Sequence, residues 1–351
     1  MKNFADRLIE VIQEKGSPIV VGLDPQLQYI PQEIKDKAFK DHGQGFKGAS
    51  WAILEFNRKV LDVVSPYTGV VKLQVAFYEL LGPWGMEAYR KTIAYAQKKG
   101  LVTIGDIKRG DVEHTALAYA QAHLGEVKLD EITLQGYGTD SVTLNPYLGE
   151  DSITPFLKVA EEKAKGLFIL VKTTNPSSRD FQDLFASDGE RFFEKVAKKV
   201  GQWGKGLIGK NGYSSVGAVV GAQYPRAANR LRRLIPRAFF LVPGYGAQGA
   251  GARGLDAYFN ADGYGAIISS SRSIIFAYLY PPGGGIRPFA SLEGRPRQTR
   301  RQKSGKTMDW EEAIRQAVVK MHSEVAETAE RAKRRSSSRR SCHRQTRLGE
   351  L

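Results

Sequence analysis

A single cysteine, Cys342, in 351 residues excludes an intrachain disulfide framework and a cysteine-based zinc cluster. It fits a reducing, cytoplasmic compartment. The five histidines show no metal-ligand spacing. No run approaches about 18 apolar residues, so no membrane span is expected. The opening MKNFADRLIEVIQEKG holds no long apolar segment and no cleavage site, so it does not read as a leader. Its apolar residues Phe4, Leu8, Ile9, Val11 and Ile12 are spaced as one face of a helix. Neither a Gly-x-Ser-x-Gly elbow nor a Walker loop is present, which leaves hydrolase and P-loop chemistry without support.

Charge, by contrast, is abundant and uneven. Lys+Arg number 52 against 37 Asp+Glu, a net of +15. Residues 287–351 alone carry 17 basic and 8 acidic side chains, so the basicity belongs largely to the C-terminal fifth. The stretch RAKRRSSSRRSCHRQTR cannot bury enough apolar surface to offset its ordering entropy, and residues 331–351 are expected to form a disordered basic tail. Such a tail can bind nucleic acid only non-specifically. Residues 282–307, rich in Pro, Gly and Arg, read as a loop. Trp310, Ile314, Ala317, Val318, Met321 and Val325 mark 308–330 as an amphipathic helix that packs back on the body.

Residues 1–281 alternate between short apolar runs and helical stretches. The runs fall at 19–23, 70–73, 101–105, 141–144, 167–171, 216–220, 239–242 and 264–268. Helical segments lie between them, for example at 51–64, 85–99 and 190–200. Near-continuous apolar strands are what a parallel sheet covered by helices requires. Eight such units predict an α/β fold, a single-domain (β/α)8 TIM barrel.

Polar residues gather just after these runs, where the strand ends of such a barrel build an active site. Asp24 follows the first run, Lys72 ends the second, and Asp106 and Lys108 follow the third. Asn145, Thr173 and Thr174, 221–223, 243–248 and 270–272 follow the others. In Asp106-Ile107-Lys108-Arg109-Gly110-Asp111 the first two charges lie two residues apart and share one face of an extended segment. Gly110 is expected to free the backbone to redirect Asp111, giving alternating Lys, Asp, Lys, Asp charges within hydrogen-bond reach. One unit-charge contact at about 4 Å is worth roughly 4 kcal/mol at an effective dielectric of about 20, so such a network can stabilise a developing carbanion. A grip for phosphate is read from the glycine-rich 243–249 and from Ser271-Arg272-Ser273, by backbone N–H groups and a bidentate guanidinium. His114 reads as a helix-surface residue.

These motifs, with Val20-Val21-Gly22-Leu23-Asp24-Pro25, Lys72-Leu73-Gln74-Val75-Ala76-Phe77-Tyr78-Glu79, Thr143-Leu144-Asn145-Pro146-Tyr147-Leu148-Gly149 and Thr173-Thr174-Asn175-Pro176, resemble the orotidine 5'-phosphate decarboxylases, in their longer bacterial-type subfamily, over residues 1–281. The resemblance implies decarboxylation of orotidine 5'-phosphate to UMP, the last step of UMP synthesis, with no metal and no cofactor. It implies Lys108 as proton donor to C6, Asp106 against the substrate carboxylate, and Lys72 holding Asp106 and touching the ribose. Asp24 would bind a ribose hydroxyl and Thr174 the pyrimidine edge. Pro243, Gln248 and Arg272 would form the phosphate side. Asp111, with Val112 and Thr115, would reach the neighbouring subunit's site, so a homodimer with shared active sites is implied. Gln223 stands where Thr is expected, Thr174 where Ser is usual and Ala250 where Gly often stands, which puts the sixth-strand loop in doubt. Two alternatives remain: a metal-dependent sugar-phosphate aldolase or epimerase of the same barrel superfamily, and a polyanion-binding protein acting through the tail.

Overall fold

The computed structural model describes residues 1–246, 254–279 and 309–348. Eight strands close into a parallel barrel: β1 Ile19–Leu23, β2 Val70–Gln74, β3 Val102–Arg109, β4 Ser141–Leu144, β5 Gly166–Lys172, β6 Ser214–Val220, β7 Ala238–Pro243 and β8 Ala266–Ser270. Each pairs with its neighbours in sequence, and β8 closes on β1. The expected α/β barrel is the observed one, with ends that differ by a few residues. Tyr264 falls outside β8, while β3 runs four residues beyond its apolar core to take in Asp106, Lys108 and Arg109.

The larger helices are α1 Phe4–Lys15, α2 Gln32–His42, α3 Phe46–Val64, α4 Gly82–Lys98, α5 Glu113–His123, α6 Thr154–Glu162, α7 Phe192–Trp203, α8 Pro225–Leu234 and α9 Trp310–Leu348. Most of the apolar core lies between strands and helices. A second cluster fills the barrel from below, where Phe4, Leu8, Ile9 and Ile12 of α1 meet Val20, Val70, Val102, Ile104, Phe168, Phe239 and Ile267. Phe4 meets Phe168 edge-on at 6.1 Å. Strand alternation does the rest. Val70, Lys72 and Gln74 point the same way, as do Val102, Ile104 and Asp106. The inward positions are apolar at the plugged end and ionic at the open one.

Two features depart from the sequence reading. An antiparallel hairpin, Glu126–Leu129 with Ile132–Gln135, stands outside the barrel between α5 and β4. Its residues are mostly exposed, so it carries no continuous apolar run to announce it. The C-terminal helix buries Ile314, Val318, Met321 and Val325 as expected, but it continues as one helix to Leu348, where disorder is expected from 331. Residues 331–348 contain no Gly or Pro. Once the first turns are docked, each further residue adds a backbone bond without a new nucleus. The expected loop at 282–307 lies outside the described residues. Among the described residues no helix is long and apolar enough to cross a membrane.

Candidate active site

At the open end a cavity of about 830 Å³ is lined by Asp24, Lys72, Asp106, Lys108, Thr174, Pro243, Tyr245 and Arg272, among others. Most of the expected strand-end residues therefore converge, Asn145, Thr173, Ser270 and Ser271 included, whereas 221–223 do not line the cavity. By strand order, β3 stands opposite β7, so the ionic group and the exit of β7 face each other across the mouth.

Asp106 is the hub. Its Oδ2 accepts from Lys72 Nζ at 2.7 Å and from Gln74 Nε2 at 3.1 Å. Its Oδ1 accepts from Lys108 Nζ at 2.7 Å and from Thr143 Oγ1 at 2.8 Å. Lys72 and Asp106 are both buried, whereas the Lys108 side chain is 44% exposed and reaches its partner from the cavity side. Burial alone would raise the Asp106 carboxyl, but the Lys72 and Lys108 ammonium groups pull it well below the usual carboxylate range. Burial likewise opposes the Lys72 charge, and Asp106 with Asp24 overrides it and holds that ammonium above its ordinary value. The buried Lys72–Asp106 pair is thus fixed as ions, removed from water, where such a contact is strongest. Asp24 sits 3.7 Å from Lys72, and its buried Oδ1 has no hydrogen-bond partner among the described residues. That oxygen is the one facing the Lys72 ammonium, and Asp24 itself lines the cavity.

The backbone of β3 does something the sequence reading assigns elsewhere. The left-handed turn is at Lys108, φ 48°, not at Gly110. The ladder to β4 shifts register between Gly105 and Arg109. A non-glycine residue in this region carries strain that surrounding contacts must hold. One such contact is the Lys108 N–H donating to Thr143 Oγ1 at 3.1 Å. Gly110 instead leaves room for β4's exit, because a Cβ there would meet the Asn145 carbonyl oxygen at 2.7 Å.

Asp111 does not join the network within one chain. Its Oδ1 accepts from the Val112 N–H at 2.8 Å, and no ion pair within 4.0 Å ties it to Lys72 or Lys108. The alternating four-charge cluster is therefore a three-charge cluster, Lys72–Asp106–Lys108, with Asp24 beside it. Val112 is exposed, Thr115 Oγ1 donates to the Val112 carbonyl, and His114 is exposed on α5.

At the exit of β7, Gly244 and Gly246 take left-handed φ of 102° and 77°, which suits glycine. Gln248 and Ala250 lie outside the described residues. Arg272 opens a short helix, Arg272–Ile275. Gly22 of β1 lets that turn approach, since a Cβ there would collide with the Ser271 side chain.

Sequence reasoning passed over several residues here. Thr143 could have been found: Ser141, Thr143 and Asn145 form a polar alternation on a strand otherwise apolar. Lys172 is buried, lies over the Tyr224 ring and donates to Asp183 Oδ1 at 2.8 Å. Together with Gln182, whose amide bonds to Thr173 at both its oxygen and its nitrogen, it ties the segment carrying Phe181 to β5. No local pattern announces such a pairing. Gln223, the apparent departure, donates to the Thr174 carbonyl at 2.8 Å and so joins the exits of β6 and β5.

The Orotidine 5'-phosphate decarboxylase / HUMPS family pattern matches residues 17–280. The orotidine 5'-phosphate decarboxylase of Caldicellulosiruptor bescii is 43% identical over 278 residues, 79% of this chain and 91% of that protein. That of Rhodopirellula baltica is 37% identical over 325 residues, 93% of this chain and 99% of that protein. The second match extends past residue 281, so similarity is not confined to the stretch that the motifs cover. The structure of Leishmania donovani OMP decarboxylase superposes with a TM-score of 0.64 at 27% identity, covering 93% of this chain and 98% of that one.

Proposed function

The chain belongs to the Orotidine 5'-phosphate decarboxylase / HUMPS family, and from that premise we propose how its residues carry out the reaction. The chain is a carboxy-lyase of pyrimidine biosynthesis that converts orotidine 5'-phosphate to UMP. The observation that carries the mechanism is a carboxylate held ionised between two ammonium groups in a cavity with Arg272 across it.

Asp106 faces the carboxylate of the bound substrate. Lys72 keeps Asp106 charged and in place, so the electrostatics are set before substrate arrives. The bond between C6 and the carboxylate breaks, carbon dioxide leaves, and the electron pair stays on C6. The Lys108 ammonium sits beside that developing charge and delivers its proton to C6; solvent returns a proton to the lysine. Repulsion between Asp106 and the substrate carboxylate and preorganised stabilisation of the carbanion describe the same geometry.

Asp24, which lines the cavity beside Lys72, accepts from a ribose hydroxyl through its carboxylate. Thr174 meets the pyrimidine edge. The 243–246 backbone, Gln248 and Arg272 take the phosphate, whose binding energy assists the distant chemical step. Asp111, Val112 and Thr115 complete the site of a second copy in a homodimer. The aldolase or epimerase alternative needs a donor set for a divalent ion, and among the described residues no three His, Cys, Asp or Glu side chains gather.

The test is incubation of the purified chain with orotidine 5'-phosphate in EDTA, following the pyrimidine absorbance. Turnover by the wild type and none by a folded Lys108→Ala variant is the expected result. Substantial turnover by that variant would remove Lys108 from its role, and a wild type silenced by EDTA would favour the metal-dependent alternative.

A further inference from the structure

Tyr245 lies just past β7 and lines the cavity, yet it is fastened from outside the barrel mouth. Its hydroxyl donates to Glu324 Oε2 on α9. Its carbonyl oxygen accepts from Ser270 Oγ at the end of β8, at 3.1 Å. The residue is buried. Burial, with the Glu324 carboxylate beside it, pushes the phenol above its usual range, so it stays a donor.

The helix that supplies Glu324 is itself well anchored. Met321 and Val325 on either side are buried, and Thr328 Oγ1 donates to the Glu324 carbonyl at 2.8 Å. The same helix packs against the turn Leu255–Tyr258 and against Arg272–Ile275. One helix thus touches Tyr245, the next described turn after it, and the turn that carries Arg272. A phenol bonded to a carboxylate is a charge-assisted contact, stronger than a neutral one.

We infer that Glu324 is a positioning residue for the phosphate side of the cavity, acting through the Tyr245 hydroxyl to fix the 243–246 backbone. This rests on the proposed function, which makes that backbone part of the phosphate grip. Glu324 touches no substrate. Its loss loosens the surface that meets the anionic end of the nucleotide and leaves the pyrimidine and ribose contacts alone.

The test compares dissociation constants for UMP and for uridine, which lacks the phosphate, in the wild type, Glu324→Ala, Glu324→Gln, Tyr245→Phe and the double variant Glu324→Ala/Tyr245→Phe. Glu324→Ala and Tyr245→Phe should each weaken UMP by about tenfold, the scale of one charge-assisted bond, with uridine unmoved. Glu324→Gln keeps an acceptor for the hydroxyl and should recover most of the loss. The double variant should be no worse than either single one, because both remove the same contact. Parallel weakening of UMP and uridine, or an unchanged ratio between them, would overturn the inference. Circular dichroism checks the fold, and if Glu324→Ala does not fold, Tyr245→Phe decides by the same ratio. A wild type that neither binds UMP nor turns over orotidine 5'-phosphate would overturn the proposed function itself; an active wild type with an unmoved ratio in the variants overturns only the role of Glu324.

Discussion

The backbone N–H of Lys108 rests on the hydroxyl of Thr143, 3.1 Å away. That same hydroxyl donates to Asp106 Oδ1, so one small side chain holds both the strained turn that aims Lys108 and the carboxylate that Lys108 faces. Thr143→Val keeps the shape and removes both bonds. A lost bond to a charged group costs about 1.5–3 kcal/mol, so kcat should fall by about ten- to a hundredfold with a smaller change in KM. Steady-state kinetics on a variant with wild-type circular dichroism checks this. A wild-type kcat would show that Lys108 is aimed by something else.

His123 offers a reading of stability against pH away from the chemistry. It is buried beside the Tyr89 and Tyr137 rings, and burial, aided by the nearby Arg109 charge, pulls its pKa from 6.5 down to about 4. Unfolded, the ring takes its proton near the ordinary value of about 6.5. Between those limits the unfolded chain binds the extra proton, so stability falls as pH drops from about 6.5 to about 4 and levels off below. At about 1.4 kcal/mol per unit, the loss from this group is roughly 3.5 kcal/mol. Urea denaturation across that range should show a shallower pH slope in His123→Phe than in the wild type. Identical slopes would mean the ring titrates normally in the folded protein.

Much of the site was legible because a parallel barrel sets each strand's inward positions by parity. An apolar run that ends in a charge, as Val70 to Lys72 or Ile104 to Asp106, states where the charge must point. What was not legible depends on a single dihedral or on a distant partner. The positive φ at Lys108 breaks the rule that a residue two further on faces the same way by extension alone. Glycine at 110 looked like the hinge because glycine permits such angles, yet it serves by lacking a side chain next to Asn145. Tyr245 and Glu324 stand 79 residues apart, and no spacing rule joins a loop tyrosine to a helix glutamate. The helical course of 331–348 was missed because composition argues against independent folding, whereas here the chain continues a helix already docked.

Arg272 lies at the start of a four-residue helical turn beside the glycine-rich exit of β7. Its proposed role as the phosphate's guanidinium predicts that Arg272→Ala weakens UMP by about ten- to a hundredfold, as expected for lost charge-assisted bonds. Uridine should bind as before. Calorimetric titration of both ligands checks it, and equal affinity of wild type and variant for UMP would reassign the anion to other groups.

Among the described residues Asp111 makes no ion pair with Lys72 or Lys108 and bonds only locally, to the Val112 amide. Its neighbour Val112 is an exposed apolar side chain at the N-cap of α5. If Asp111 acts in catalysis, the site it serves belongs to another copy. A symmetric dimer then holds two sites, each taking Lys72, Asp106 and Lys108 from one chain and Asp111 from its partner. Lys72→Ala and Asp111→Ala should each be inactive as homodimers. Mixed and allowed to exchange, they form hybrids in which one site carries both lesions and the other none. Equal mixing with free exchange should restore about a quarter of wild-type activity, since half the dimers are hybrid and half their sites intact. Exchange is verified independently by mass-tagged subunits. Hybrids that form yet stay silent would place Asp111 in its own chain's chemistry, or in none.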